Sequence, residues 1–148
     1  MSENYVNEIE VIYKPRLDLK QLTKVSNNYQ ILDFLKEIWA DDIEYRERFY
    51  AVYLNRQNNI LGYYLISAGG CSGTFIDLKL IFQPALKLHA SSIIIAHNHP
   101  SGSLKPSEQD LQMTKKIVEA GKILAIPILD HIILTVSNHY SFLNNNQL

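Results

Sequence analysis

The amino-acid sequence predicts an α/β domain in which a mixed central sheet is flanked by helices. Three observations predict it. The chain has 148 residues, the size of one domain. Its 47% apolar and 20% charged residues are an ordinary globular composition. Strand-like and helix-like patterns are interleaved along it, with no repeat and no Gly/Ser linker. We therefore expect residues 1–148 to form one domain, with 1–40 as a short extension holding a strand and a helix.

The first third of the chain carries the patterns of one strand, one helix and a hairpin. Residues 8–13 alternate apolar and polar side chains, which is typical of a half-buried strand. Apolar residues at 31, 34, 35 and 38 have helical spacing, with capping candidates at 26–28. Two apolar runs flank the polar sequence NRQNN, which predicts a hairpin with strands near 47–54 and 60–67.

A glycine-containing loop and a helix are expected next. Residues 69–73 contain three glycines and the single cysteine, Cys71, and are interpreted as a turn in which Cys71 is a small buried apolar residue. Residues 78–90 have helical apolar spacing, and Pro84 must either kink this helix or lie near its start.

The last third predicts three strands and one helix. The continuous apolar run at 92–96 is typical of a strand buried on both faces. A helix is expected from about 107 to 120, followed by strands near 130–136 and 140–143.

Charge and composition exclude several classes of function. The chain has 14 basic and 15 acidic residues, a net charge of −1. This is a poor basis for binding a phosphate backbone, so a nucleic-acid partner is not supported. The longest apolar run, 123–129, is too short to cross a bilayer, and the first residues lack the pattern of a secretory signal, so we expect a cytoplasmic protein. With one cysteine, a zinc site would need histidine and carboxylate ligands.

The chemically informative stretch is AHNHPSGSLKPSEQD at 96–110. His97 and His99 lie two residues apart at the end of a predicted strand, so both imidazoles face the same way and can meet one metal ion. A Pro-Ser-Gly turn lets the chain fold back, and Asp110 arrives near the start of the next helix. Two histidines, one carboxylate and a water are the ligand set of a catalytic zinc site.

Each part of this stretch also has a structural interpretation. A His-x-His pair alone is a weak signal for metal. Ser107 and Asp110 fit a capping box at a helix start, with Ser107 as N-cap. The combination within one short run favours a metal site, and the Ser107 hydroxyl could cap the helix and still donate toward that site.

The same stretch resembles a known signature. HNHPSGSLKPSEQD is similar to the JAMM (MPN+) metalloprotease motif, His-x-His-x7-Ser-x2-Asp, and in particular to its RadC-family version with HNHPSG. The spacing fits at every position. ERFYAVYLNRQN at 47–58 and LDHIIL at 129–134 also resemble segments of that family, so the similarity covers roughly residues 40–143.

The resemblance implies a fold, a cofactor and an activity. The fold would be a JAB/MPN sandwich, similar to cytidine deaminases. Zn²⁺ would be held by His97, His99 and Asp110, and the position matching the family's catalytic glutamate is Glu47, with Glu44 as the nearest rival. Glu47 and Ser107 would be the catalytic residues of a zinc-dependent metallohydrolase that cleaves a peptide or isopeptide amide bond, with a protein or peptide as its substrate.

Two other functions stay open from the sequence. One is a RadC-type protein associated with DNA repair or recombination, although residues 1–40 lack the helix-hairpin-helix pattern that such proteins carry. The other is a metal-free interaction module, like degenerate MPN domains. The retained histidines, Ser107 and Asp110 argue against that module.

The remaining titratable residues are assigned by position. Asp130 and His131 are neighbours on a predicted strand, so only one of them can face the site. That residue could orient a ligand imidazole by a hydrogen bond, or the two could be a buried polar pair satisfied by backbone. His89 and His139 are expected at the surface.

Overall fold

The computed structural model describes residues 9–69 and 76–148. Within these ranges, three α-helices and five strands follow one another along the chain: α1 Asn28–Trp39, β1 Arg48–Leu54, β2 Ile60–Ala68, α2 Leu78–Lys87, β3 Ser92–Asn98, α3 Glu108–Ile123, β4 Ile128–Leu134 and β5 His139–Ser141. Short 3-10 turns occupy Leu19–Gln21 and Ala40–Asp42.

The strands form one mixed sheet in the order β2-β1-β3-β4-β5. β1 is antiparallel to β2 and to β3, β3 is parallel to β4, and β5 is antiparallel to β4. The parallel pair needs a crossover, which α3 provides. The predicted α/β fold with a mixed central sheet flanked by helices is confirmed.

Alternation along β3 explains why its residues are buried on both faces. Ile93 and Ile95 pack in the cluster that α2 and α3 cover, whereas Ile94 and Ala96 pack in the cluster that α1 covers. Because successive side chains of a strand point to opposite faces, the next two residues continue these two sets. His97 therefore lies on the α2/α3 side and Asn98 on the α1 side.

The predicted strand at 8–13 is wrong for the residues that the structure describes. Residues 9–13 form no strand, and Ile9 and Val11 are 86% and 70% exposed. Alternation alone does not make a strand, because a strand is held by hydrogen bonds to a neighbouring strand, and among the described residues 9–13 pair with none. The edge at the start of β2 is used by a later segment, since the N–H of Ile60 donates to the carbonyl of Thr23 and Val25 pairs with Asn58.

The other elements are confirmed, with shifts of a few residues at their ends. Helix α1 begins after Asn27, whose side chain accepts a hydrogen bond from the N–H of Gln30. Pro84 lies in the last turn of α2 and not near its start, and this helix ends at 87, before the expected 90. Gly69 has a φ of +77°, as a turn requires, whereas 70–73 lie outside the described residues. In the described ranges no helix has both the length and the apolar character to cross a membrane.

Candidate metal centre

The two histidines of the His-x-His pair meet at the carboxyl end of β3. Their Nε2 atoms lie 2.9 Å apart. Asp110 lies against both rings, with Oδ1 3.4 Å from the Nε2 of His97 and Oδ2 3.4 Å from the Nε2 of His99. The strand thus brings the imidazoles to one face, as predicted, and the carboxylate spans them.

Asp110 is placed by the capping box at the start of α3. The N–H of Asp110 donates to the Ser107 hydroxyl oxygen at 3.1 Å, and the N–H of Ser107 donates to Oδ2 of Asp110 at 2.8 Å. The predicted capping box is therefore present. It also holds the carboxylate toward the histidines, so the cap and the site share one side chain.

Glu47 reaches the same site from the neighbouring strand. It directly precedes β1, in which Phe49 is paired with His97, and its Oε1 lies 3.9 Å from the Nε2 of His97. One ligand atom from each of Glu47, His97, His99 and Asp110 lies within 4.8 Å of the others, so the group could hold a metal ion. Glu44, the rival position, is exposed and is not part of this group.

Asn98, between the histidines, points to the other face of the sheet and holds the chain that carries Glu47. Its Oδ1 accepts a hydrogen bond from the N–H of Arg48 at 2.7 Å. Its Nδ2 donates to the carbonyls of Ile43 at 2.7 Å and Arg46 at 2.9 Å. Asn98 is fully buried, so these bonds satisfy a polar group that water cannot reach.

Charge interactions in the cluster favour an ionised carboxylate beside a basic imidazole. Burial works to raise the pKa of Asp110, but hydrogen bonds and charge from His97 and His99 outweigh it and hold that pKa well below its usual range. The bond to Asp110 raises the pKa of His99, although burial opposes the shift. A buried anion next to two imidazoles is a site that attracts a cation.

Hydrogen bonding also determines which nitrogen of His99 is free. Its Nδ1 lies 2.7 Å from the carbonyl oxygen of Ser103, which can only accept, so Nδ1 carries the proton. In the neutral ring the Nε2 lone pair then points at the Nε2 of His97. Two nitrogens at 2.9 Å need a proton or a cation between or beside them, and two imidazoles with carboxylates are donors that suit zinc.

His131, and not Asp130, is the member of the β4 pair that faces the histidines. Its Nε2 lies 2.7 Å from the Nδ1 of His97, and its Nδ1 lies 2.6 Å from the Thr114 hydroxyl. The ring is fully buried and stacked on Phe142, and burial, with the nearby charge of His97, holds the pKa of His131 well below its usual range.

Asp130 contacts β5 and the segment that follows it. Its carboxylate accepts hydrogen bonds from the Ser141 hydroxyl at 2.6 Å and from the N–H groups of His131 and Leu143. Burial raises the pKa of Asp130 in spite of these bonds. Asp130 therefore ties β4 to the chain end after β5.

Thr114 contacts the cluster through His131, and the sequence patterns had not singled it out. It lies four residues after Asp110 on α3, so it shares a helix face with that residue. This spacing was the available signal. His89 and His139 are exposed, as expected.

The cluster lies in an open cleft of about 650 Å³. Ser107 is part of its wall, and the remaining wall combines apolar, hydroxyl and cationic side chains: Phe49, Ile76, Met113, Ser67, Ser101, Arg46 and Lys105. Solvent reaches Glu47, whose side chain is 37% exposed, whereas the side chain of His97 is almost fully buried. Among the described residues of the cluster, the centre is thus most exposed on the Glu47 side.

A family model and curated relatives both match most of the chain. Residues 25–148 match the family model described as "RadC-like JAB domain", a range that includes α1. The chain is 38% identical over 127 residues to a "UPF0758 protein" of Flavobacterium johnsoniae, covering 86% of this chain and 55% of that protein. A "UPF0758 protein" of Syntrophomonas wolfei is 34% identical over 127 residues, covering 84% and 53%. The chain thus spans about half the length of these curated relatives.

Proposed function

Because the chain belongs to the RadC-like JAB domain family, we propose that it is a zinc-dependent hydrolase of the JAMM type that cleaves peptide or isopeptide amide bonds. One observation supports this most directly. Two imidazoles and two carboxylates from separate elements converge within 4.8 Å in an open cleft. A structural zinc site is closed by four protein ligands, whereas a catalytic site keeps one position for water or substrate.

In the proposed site, His97, His99 and Asp110 would hold the zinc ion. The three come from one strand end and one helix start, and the carboxylate of Asp110 is already ionised and fixed by the capping box. A zinc ion there would supply Lewis-acid chemistry, since it lowers the pKa of a water in its open position and polarises a carbonyl oxygen.

Glu47 is the proposed proton carrier. It is the most exposed of the four residues and lies 3.9 Å from the nearest imidazole nitrogen, so it can touch an attacking water without being a tight ligand. Its carboxylate would take a proton from that water and deliver it to the leaving amine. Both transfers are needed for amide hydrolysis, because an amine leaves poorly without a proton.

Ser107 is the proposed donor to the oxyanion. Its hydroxyl oxygen accepts the N–H of Asp110, which leaves the hydroxyl proton free to point into the cleft. A hydrogen bond to the oxygen that becomes negative is worth roughly 3–4 kcal/mol of transition-state stabilisation in other enzymes.

The cleft wall is compatible with a polypeptide substrate. The wall offers apolar contacts at Phe49, Ile76 and Met113. It also carries two cationic side chains, Arg46 and Lys105. A polypeptide segment with mixed side chains can use such a wall, and a carboxylate on it would find the cations.

Two measurements on the full chain test this function. Elemental analysis of protein purified without added metal should give one zinc per chain, absent from His97→Ala and retained in His89→Ala, an exposed histidine used as the matched control. Zinc-loaded protein should then hydrolyse members of a fluorogenic peptide and isopeptide library. Glu47→Gln should keep the zinc and lose turnover. Wild-type protein without zinc, or full activity in Glu47→Gln, would contradict the proposal.

A further inference from the structure

A chain of three short hydrogen bonds leads from His97 into the core, away from the cleft. The Nδ1 of His97 lies 2.7 Å from the Nε2 of His131. The Nδ1 of His131 lies 2.6 Å from the Thr114 hydroxyl, which is 2.6 Å from the backbone carbonyl of Asp110. His97, His131 and Thr114 are each no more than 1% exposed. Neither His131 nor Thr114 takes part in the proposed hydrolysis.

The carbonyl at the end of this chain favours one direction of hydrogen bonding. A carbonyl only accepts, so Thr114 donates the hydrogen bond to it with its single hydroxyl proton. The Thr114 oxygen then accepts from the Nδ1–H of His131. The Nε2 of His131 is left unprotonated and accepts from the Nδ1–H of His97. In this arrangement the Nε2 of His97 carries a lone pair that faces Asp110 and His99.

The opposite direction of hydrogen bonding uses the same protons, but it leaves the Nε2 of His97 protonated and unable to bind a cation. If Thr114 donates to the Nδ1 of His131 instead, the Nε2–H of His131 donates to His97. The Nε2–H of His97 then donates to the Nε2 of His99, which is 2.9 Å away. Each imidazole carries one proton in both arrangements. Only the first arrangement offers a cation two unprotonated Nε2 atoms.

We infer that His131 and Thr114 are positioning residues of the metal centre: through this chain they hold His97 as the tautomer that binds a cation. The Thr114 hydroxyl is essential because it accepts from one partner and donates to the other. This row of hydrogen bonds also joins two proposed ligands, since it starts on the ring of His97 and ends on the backbone carbonyl of Asp110. This inference rests on the proposed zinc site and extends it to residues outside the cleft.

Replacing the hydroxyl disfavours the cation-binding arrangement. In Thr114→Val, the Nδ1–H of His131 would be buried without an acceptor, whereas the opposite arrangement leaves only a bare ring nitrogen. Among backbone groups, buried N–H donors without a partner are rarer in proteins than unpaired acceptors, so we expect the arrangement with the unpaired N–H to be disfavoured. Loss of the outer partners of metal ligands typically lowers metal affinity by about 10–100-fold.

The test compares two matched pairs of variants in the full chain, each stripped of metal and titrated with zinc against a chromophoric chelator. Thr114→Val should bind zinc about 10-fold or more weakly, and Thr114→Ser, which keeps the hydroxyl, should stay within about threefold of wild type. His131→Phe keeps a flat ring beside Phe142 and should lose affinity, whereas His131→Gln keeps an acceptor and should recover part of it.

A measurement on wild type covers the case in which a variant does not fold. Ring ¹⁵N chemical shifts of the zinc-loaded protein should show the proton on Nδ1 of both His97 and His131. Wild-type affinity in Thr114→Val, or an unprotonated Nδ1 on His131 with zinc bound, would overturn the inference and leave the zinc site standing. A wild-type chain that binds no zinc would overturn the proposed function, and the inference with it.

Discussion

The side-chain oxygen of Asn98 accepts a 2.7 Å hydrogen bond from the backbone N–H of Arg48, one residue after Glu47. Its amide nitrogen bonds the carbonyl of Arg46, one residue before Glu47. The strand that presents the two histidines on one face therefore holds, from its other face, the backbone on both sides of the proposed proton carrier. The tripeptide 97–99 therefore carries both histidines and also holds the backbone around Glu47.

Asn98→Ala should destabilise the protein strongly. The change removes three hydrogen bonds and leaves buried backbone groups unpaired, which should lower the free energy of unfolding by about 3 kcal/mol. Urea unfolding of the metal-free protein measures this. The exposed Asn144→Ala is the control and should change stability by less than about 0.5 kcal/mol. Equal stability in the two variants would show that the Asn98 bonds contribute little.

Ser107→Ala should cost about 1 kcal/mol of stability, because Ser107 is the N-cap of α3. Ser107→Thr keeps the hydroxyl and should recover most of that loss. Thermal unfolding of metal-free protein separates the two variants. If alanine and threonine were equally stable, the hydroxyl would not be capping the helix in solution.

Gly121→Ala should destabilise the close contact between α3 and the connection that leads to β4. A Cβ at this position would lie 2.6 Å from the carbonyl oxygen of Ile126, a rigid backbone atom, so the chain must shift at a cost of about 1–3 kcal/mol. Gly62→Ala is the matched control, since a Cβ there meets nothing within 4 Å. An unchanged midpoint of unfolding for Gly121→Ala would contradict this close approach.

Stability should depend on pH through Asp130, whose pKa is raised by burial. A raised pKa means that the folded state holds the proton more tightly than the unfolded chain. The stabilisation is complete below the unfolded pKa of about 3.9 and is lost as the pH rises through the folded pKa.

The variant Asp130→Asn isolates this contribution, because the amide cannot ionise. The free energy of unfolding of wild type minus that of Asp130→Asn should fall as the pH rises from about 3.9 through the raised pKa, and then level off. Denaturant unfolding at a series of pH values gives the difference directly. A difference that grew with pH would mean that burial does not raise this pKa.

Zinc should stabilise the folded chain, and Asp110 should be required for it. A ligand that binds only the folded state adds about 2.7 kcal/mol at a free concentration 100 times its dissociation constant. Thermal unfolding with and without a chelator should show this shift in wild type and in Asp33→Ala, an exposed acidic residue on α1. In Asp110→Ala the shift should vanish, and its persistence would exclude Asp110 as a ligand.

Local patterns sufficed where structure depends on neighbours in the chain. The alternation of β3 placed His97 and His99 on one face, and the Ser107 capping box fixed the start of α3. These two features bring together three of the four residues of the cluster.

Features that depend on pairing between distant segments could not be predicted from local sequence patterns. The strand predicted at 8–13 failed because its alternation says nothing about whether a neighbouring strand pairs with it. The choice between Asp130 and His131 required the register of β3 against β4, in which Ile95 pairs with His131. Glu47 depends likewise on the pairing of Phe49 with His97, and only the resemblance to a family singled it out.

The three proposed ligands all lie in one uninterrupted run from His97 to Asp110, whereas Glu47 comes from a strand about 50 residues earlier. Closing such a short loop costs little chain entropy, and the three residues stay neighbours in the chain whatever happens to the pairing of β1 with β3. The proton carrier arrives only when β1 docks on β3. The proposed cation binding and the proposed proton transfer would thus depend on different contacts of the fold, so a variant that weakens the pairing of β1 with β3 should lose turnover before it loses zinc.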